Sequence, residues 1–328
     1  MQTASSPTPL LAARDLSVGL VNRHGAFLAT NRVSLAVDRG QSLGLLGESG
    51  CGKSITLRAL LGLVPHPGEI VGGSVTWKGR DWRSLSKSEI RRIRGKDIAM
   101  IFQDPASCLN PVFTIGDQVT ETLRLKLALK AKAARELARD LLDQVGIPAP
   151  EERLRLYPHQ LSGGMRQRVM IAMAIATEPD LLLADEPTTA LDVTIQDQIL
   201  TLLARLKERN RMAMILVSHD VGVVAQNCDF IAVMYAGHIV EWGPTHDVLR
   251  TPRHPYTRGL LAAIPRLEVS GGRHPLQTIA GAPPTPGELP EGCPFRLRCP
   301  SARPECATIP VTLDRKPPDH GSACPIVM

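Results

Sequence analysis

Residues 47 to 54 run Gly-Glu-Ser-Gly-Cys-Gly-Lys-Ser and follow the apolar stretch Ser42-Leu43-Gly44-Leu45-Leu46. A strand, a glycine-rich turn and a helix in that order make a cradle for polyphosphate. The glycines let successive backbone N–H groups turn inward, and the helix adds its positive end. In this reading Gly47, Glu48, Ser49, Gly50, Cys51 and Gly52 wall the cradle, with Cys51 at a variable position that a small side chain fills. Lys53 reaches the β- and γ-phosphates, and Ser54 offers its hydroxyl to Mg²⁺. Ile55, Ala59, Leu60 and Leu63 recur at helical spacing behind the loop. The octapeptide alone would also suit a glycine-rich turn of another fold; the strand before it and the helix after it favour nucleotide binding.

Two further strings seek the same chemistry. Leu181-Leu182-Leu183-Ala184 is a short continuous apolar run ending in Asp185-Glu186. Such a strand places Asp185 beside Mg²⁺, directly or through water, and Glu186 within reach of an attacking water as general base. Taken alone, Asp185-Glu186-Pro187-Thr188 would read as a capped turn. Leu161-Ser162-Gly163-Gly164-Met165-Arg166-Gln167-Arg168 sets a hydroxyl and two glycines at the start of a helix, with Ser162 as N-cap of a segment running from Gly163 to Ala176. One chain thus carries two phosphate-seeking surfaces, and a nucleotide sandwiched between two chains would use one from each.

The elements that must position these residues are also legible. Leu16–Leu20, Val33–Val37 and Val71–Trp77 read as antiparallel strands, and Ser86–Gly95 as a basic helix. Ile98–Phe102 is a short apolar strand ending at Gln103. From Phe113 to Val145 the pattern is helical, richest in strong helix formers over Ala128–Val145 and stopped by Gly146 and Pro148. Ile195, Ile199, Leu202, Leu203 and Leu206 mark one helix face, and Ala213–Val217 is a buried strand leading to Ser218-His219. Ile231–Met234 and Ile239–Trp242 are strands joined by a turn at Gly237. Strands alternating with helices imply a parallel α/β sheet. After Pro265 the composition changes, and residues 281 to 292 are dense in Pro and Gly, as in a linker or strap.

A length of 328 residues with 43% hydrophobic and 21% charged content allows one large or two modest soluble domains. Aromatics make up 3%, which leaves no stacking platform for single-stranded nucleic acid; no nucleic-acid partner is expected. The net charge of +6 is spread along the chain and aids solubility rather than marking a surface. No apolar run is long enough to span a bilayer, and Met1–Pro9 lacks the pattern of a secretory signal. The expectation is a cytosolic chain whose membrane role, if any, comes through a partner. Cys293, Cys299, Cys306 and Cys324 cluster late in the chain, which in a reducing compartment suggests metal rather than disulfides. Their gaps of five, six and seventeen residues depart from the two-residue gaps common at zinc and suit an iron–sulfur cluster better, with His320 keeping zinc as an alternative.

In order, Gly47–Ser54, Gln103, Leu161–Gln167, Leu183–Glu186, Ala190-Leu191-Asp192 and His219 resemble the ATP-binding subunit of an ABC transporter, over roughly residues 10 to 265. The resemblance implies an α/β fold: a RecA-like P-loop NTPase core with an antiparallel β-subdomain, an inserted α-helical subdomain at about 104–165, and a small irregular Cys-containing C-terminal extension. It divides the chain into a nucleotide-binding domain at 1–270 and an extension at 271–328. It also implies roles. Gln103 senses the γ-phosphate through Mg²⁺ and water, His219 holds the γ-phosphate and Glu186 in line, and Asp192 sits at the dimer seam. The family's aromatic contact to adenine has no ring near Gly19-Leu20-Val21; Phe27 and Leu20 are the alternatives.

The C-terminal strings narrow the family. His254-Pro255-Tyr256-Thr257-Arg258-Gly259-Leu260-Leu261, Gly292-Cys293-Pro294-Phe295-Arg296-Leu297-Arg298-Cys299-Pro300 and Thr188–Gln196 resemble the dipeptide and oligopeptide importer ATPases. Such an importer implies ATP and Mg²⁺, a paralogous ATPase subunit, two membrane permeases and an extracytoplasmic binding protein, with this chain at the cytoplasmic face of the membrane. In close relatives the cysteine segment resembles a [4Fe–4S] motif. Nickel or glutathione import, export, and a soluble ATPase that serves no transporter are the other readings.

Overall fold

The computed structural model describes residues 8–22, 25–189, 191–264, 278–285, 287–314, 319–324 and 326. The expected boundary at 270/271 and Ala190 of the Ala190-Leu191-Asp192 motif lie outside them. The chain divides into two compact units. One holds the chain up to Asp38, Ser42–Trp82 and everything from Val217; the other holds Arg39–Gln41 and Arg83–Leu216.

The first unit opens with the antiparallel pair β1 (Leu11–Asn22) and β2 (Gly25–Val37), longer than the runs Leu16–Leu20 and Val33–Val37 alone would imply. β4 (Glu69–Trp77) pairs with the other edge of β1, and β5 (Arg80–Asp81) with β4, completing a four-stranded antiparallel sheet. β3 (Ser42–Leu46) is buried at every position, as a strand covered on both faces must be, and feeds the glycine loop and α1 (Lys53–Leu60). It runs parallel to β9 (Phe230–Tyr235). β10 (His238–Pro244) turns back on β9 through Ala236 and Gly237, both at positive φ, the backbone a tight hairpin needs. The short strand β11 (Gly321–Ser322) adds to the edge of β10. Helices α9 (Val221–Asn227), α10 (Thr245–Arg250) and α11 (Pro255–Ala262) complete this unit.

The C-terminal segment is anchored by Phe295. It is 1% exposed and packs against Tyr235, Tyr256 and His254 at ring separations of 5.2, 5.3 and 6.0 Å. Burial pushes His254 down to about 3, so it stays neutral and its Nδ1 accepts from the Tyr256 N–H at the start of α11.

The second unit pairs β6 (Ile98–Ile101) in parallel with β7 (Leu181–Asp185), and β8 (Ala213–Ser218) lies on the far side of β7. α2 (Lys87–Ile93) begins at a Ser86–Glu89 capping box. The short α3 (Pro105–Cys108) and α6 (Pro150–Arg153) flank α4 (Ile115–Leu127) and α5 (Ala131–Gln144); α7 (Gly163–Ile175) and α8 (Val193–Asn210) follow. α4 starts at a Thr114–Asp117 capping box and buries Ile115, Val119 and Leu123, four residues apart. The expected helix over Ala128–Val145 is corrected here: Ala128 takes a left-handed conformation (φ 55°) and ends α4, and α5 begins three residues later. No glycine or proline marks that break. Lys126 ties the last turn of α4 down by donating to the Arg91 and Arg94 carbonyls, a long-range contact that propensity does not encode. On α8 the buried set is Ile199, Leu200, Leu203 and Leu206; of the expected face, Ile195 and Leu202 are half-buried.

Candidate functional site

The phosphate loop is built as its residue types require. Gly52 adopts φ 106°, open to glycine and strained for other residues, and a Cβ there would stand 2.6 Å from the Ala29 carbonyl oxygen. A Cβ on Gly47 would stand 2.2 Å from the Met234 carbonyl oxygen. Neighbouring backbone therefore excludes side chains at both ends of the loop. Ser49 and Gly50 are exposed, and Cys51 is buried beneath the loop, where burial raises its thiol pKa. Lys53 is 4% exposed, and its ammonium donates to the Gly47 and Glu48 carbonyls at 2.7 and 2.9 Å. Ser54 lies half-buried in the first turn of α1.

In the second unit β7 ends at Asp185, 1% exposed. Glu186 follows in a left-handed conformation (φ 45°), which costs a non-glycine residue about 1–3 kcal/mol. Its Oε2 accepts from the Gln103 side-chain amide at 3.2 Å and from the Thr189 hydroxyl at 2.8 Å. Gln167 of α7 donates to the Pro187 carbonyl at 2.6 Å and pins the turn from behind. Ser162 caps α7 by accepting from the Met165 N–H, Asp192 caps α8 by accepting from the Ile195 N–H, and a Cβ on Gly164 would stand 3.0 Å from Ile195. The structure therefore joins Gln103 to Glu186, and the Ser162–Gly164 tip to the helix that Asp192 starts. Ser162, Gly163 and Asp192 are exposed. His219 belongs to the first unit, exposed at the end of β8 and just before Asp220, which caps α9.

A family model for the ABC transporter matches residues 30–189, and one for the oligopeptide/dipeptide transporter C-terminal region matches residues 240–306. Across 298 residues the chain is 47% identical to the dipeptide transport ATP-binding protein DppD of Bacillus subtilis (strain 168), covering 90% of this chain and 88% of that one. The chain belongs to the ABC transporter ATP-binding proteins, in their oligopeptide/dipeptide branch. It is likewise 47% identical over 316 residues to the oligopeptide transport ATP-binding protein OppD of Salmonella typhimurium, covering 96% of this chain and 93% of that one. Among solved structures it resembles the ATP-binding cassette MJ0796, a dimer in a post-hydrolysis state bound to ADP and Pi. That likeness has a TM-score of 0.65 and 27% identity, and covers 72% of this chain and 98% of that one. The mixed α/β architecture is that of the ABC cassette.

Cys293, Cys299 and Cys306 lie within the matched oligopeptide/dipeptide transporter C-terminal region, and Cys324 follows it. The Cys293 N–H donates to the Cys306 carbonyl at 2.8 Å, and the Arg303 N–H lies 3.4 Å from the Cys306 sulfur. Burial, and then the proximity of Cys306, Cys324 and Cys299, push the Cys293 thiol up to about 11; burial chiefly raises Cys299 as well. Among the described residues no group of three or more His, Cys, Asp or Glu side chains is arranged to hold a metal ion. His320, kept open as a zinc ligand, instead directs Nε2 to the fully buried Glu241 at 2.8 Å. Leu20 and Phe27 are cross-strand partners, so both candidates for the adenine contact lie on one face of the four-stranded sheet.

Sequence reasoning assigned no role to Thr189, although it stands three residues after Glu186, the spacing at which a hydroxyl reaches back across a turn. It also assigned none to Tyr256 and Arg298, which lie inside strings that carried the family resemblance. The Tyr256 hydroxyl accepts from the Glu48 N–H at 2.9 Å, and Arg298 pairs with the Glu48 carboxylate. Only the packing of distant segments reveals these contacts.

Proposed function

We propose that this chain is the ATP-hydrolysing subunit of an importer that carries di- or oligopeptides across the cytoplasmic membrane, bound peripherally to its cytoplasmic face. Its partners in this reading are a paralogous ATPase subunit, two membrane permeases and an extracytoplasmic binding protein. Gly47–Gly52 and Lys53 take the triphosphate of ATP; Ser54, Asp185 and Gln103 hold Mg²⁺, which neutralises developing phosphate charge. Glu186 accepts a proton from the attacking water, while His219 and Gln103 keep water and γ-phosphate in line. Ser162–Gly164 and Asp192 complete the site of the second ATPase subunit.

The observation that carries this reading is the Glu186 carboxylate, held in a strained backbone with Gln103 and Thr189 both donating to the same oxygen. Such a carboxylate is pre-oriented, as a general base must be. The helical unit supports a membrane partner. Val112, Phe113 and Leu125 are 71%, 52% and 74% exposed, and a cleft of about 770 Å³ lined by Phe113, Glu121, Arg124 and Leu125 offers a seat for a permease helix. No helix among the described residues is long and apolar enough to cross a membrane, so anchorage falls to the permeases. Peptide cargo rests on the dipeptide and oligopeptide transport relatives.

Co-expression with a pair of permeases of the dipeptide/oligopeptide transporter type tests the assignment. The chain is expected to co-purify with both, and its ATP hydrolysis in proteoliposomes to rise when a peptide-loaded binding protein is added. Hydrolysis that ignores the peptide-loaded protein would dismiss peptide import, and a chain that never associates with permeases would point to a soluble ATPase.

The same reading places a [4Fe–4S] cluster on Cys293, Cys299, Cys306 and Cys324. Four thiols form a soft donor set of the right number, and burial disfavours Cys293 and Cys299 as free thiolates, which binding to a cluster's iron would relieve. It would staple a segment too short to bury its own core. Zinc is disfavoured by the spacing and by the engagement of His320. Anaerobically purified protein is expected to be brown, with about four irons per chain, and Cys306→Ser to lose both colour and iron. Colourless, iron-free wild-type protein would remove the cluster.

A further inference from the structure

Glu48 brings a carboxylate into a loop whose purpose is to attract anions. Like charges close together repel, and the repulsion grows as water is excluded. In this chain the C-terminal segment answers that carboxylate. Arg298 Nη1 donates to Glu48 Oε2 at 2.7 Å and Nη2 to Oε1 at 3.0 Å, a two-point pairing of guanidinium and carboxylate planes. The Arg298 side chain is 5% exposed and that of Glu48 26%. The guanidinium makes two further hydrogen bonds. Nε donates to the Ala280 carbonyl at 2.9 Å, Nη1 also donates to the Tyr235 hydroxyl at 3.3 Å, and the group sits 5.8 Å from the Tyr235 ring centre. The Glu48 backbone is fixed separately, through the Tyr256 hydroxyl. Arg298 lies between Cys293 and Cys299, so one short segment carries both the thiols and the cation.

We propose that Arg298 is a positioning residue for nucleotide: it neutralises Glu48 and turns it out of the path of the triphosphate, making ATP affinity depend on docking of the C-terminal segment. This rests on the reading of residues 47–54 as the ATP site. The consequence has a sign that a merely structural bridge lacks. Without Arg298, Glu48 repels ATP; without Glu48, Arg298 does not. By reciprocity, ATP must tighten the segment as much as the segment tightens ATP.

The test is titration of the full-length chain with a fluorescent ATP analogue and Mg²⁺, with Arg298→Gln, Glu48→Gln, the double variant and Arg298→Lys beside the wild type. Arg298→Gln is expected to weaken binding about tenfold, within the usual span of such couplings. Adding Glu48→Gln to Arg298→Gln is expected to recover most of that loss, and the charge-preserving Arg298→Lys to lose less than Arg298→Gln. Hydrogen exchange over residues 293–306 is expected to slow with nucleotide in the wild type and to be indifferent to it in Arg298→Gln. A wild type that binds no nucleotide sinks the site assignment and this inference together. A wild type that binds, with Arg298→Gln equally tight, sinks the inference alone. So does equal weakening by both single variants without recovery in the double, or a loss in Arg298→Lys as large as in Arg298→Gln.

Discussion

Glu186→Gln is expected to lower steady-state ATP hydrolysis by about 10²–10⁴-fold, the range supplied by a positioned general base, while ATP binding is retained. The amide keeps the shape of the side chain and can still accept from the Thr189 hydroxyl, so the strained turn stays in place. What is lost is the capacity to take a proton. Hydrolysis in the intact transporter and ATP binding, measured side by side, check the separation. Turnover near the wild-type rate would assign proton transfer elsewhere, and loss of binding would make Glu186 a structural residue of the turn. The design of this site explains why the effect should be large. A left-handed backbone at a glutamate is unfavourable on its own, and it persists because Gln103, Thr189 and the Gln167–Pro187 bond over-determine it.

Gly52→Ala is expected to weaken Mg·ATP binding by about 5- to 150-fold, the equivalent of the roughly 1–3 kcal/mol that a left-handed alanine costs. Strain is half of the reason. The added methyl would also stand 2.6 Å from the Ala29 carbonyl oxygen and 2.8 Å from the Met234 side chain, and the first of these is backbone of a paired strand that cannot swing aside. Relief must come from the loop, and moving the loop re-aims the N–H groups and Lys53 together. Isothermal titration with ATP, and a thermal melt to follow stability, separate the two losses. Unchanged affinity would show that loop geometry is not what recognises phosphate.

Both predictions concern residues whose chemistry was legible before any coordinates. Gly47–Ser54, Asp185-Glu186 and the Ser162 cap are local patterns: each works through backbone geometry within a few residues, so spacing alone carries them. The strand β3, the helix α1 and the hairpin of β9 and β10 follow equally from short-range rules of apolar runs and turn residues. The boundary between α4 and α5 was not legible, because Ala128 is a good helix former and no glycine or proline marks the break.

The chain alone determines the nucleotide chemistry, the α/β architecture and the membership of the peptide-transporter branch of ABC ATPases, since these reside in contiguous strings. Only the tertiary structure decides that Gln103 meets Glu186, that His320 serves Glu241 instead of a metal, and that Arg298 answers Glu48 from 250 residues away. Those pairings join segments with no pattern in common. A guanidinium and a carboxylate attract wherever they are brought together, and the spacing of residues along a chain does not say which of its many charges the fold will bring within reach.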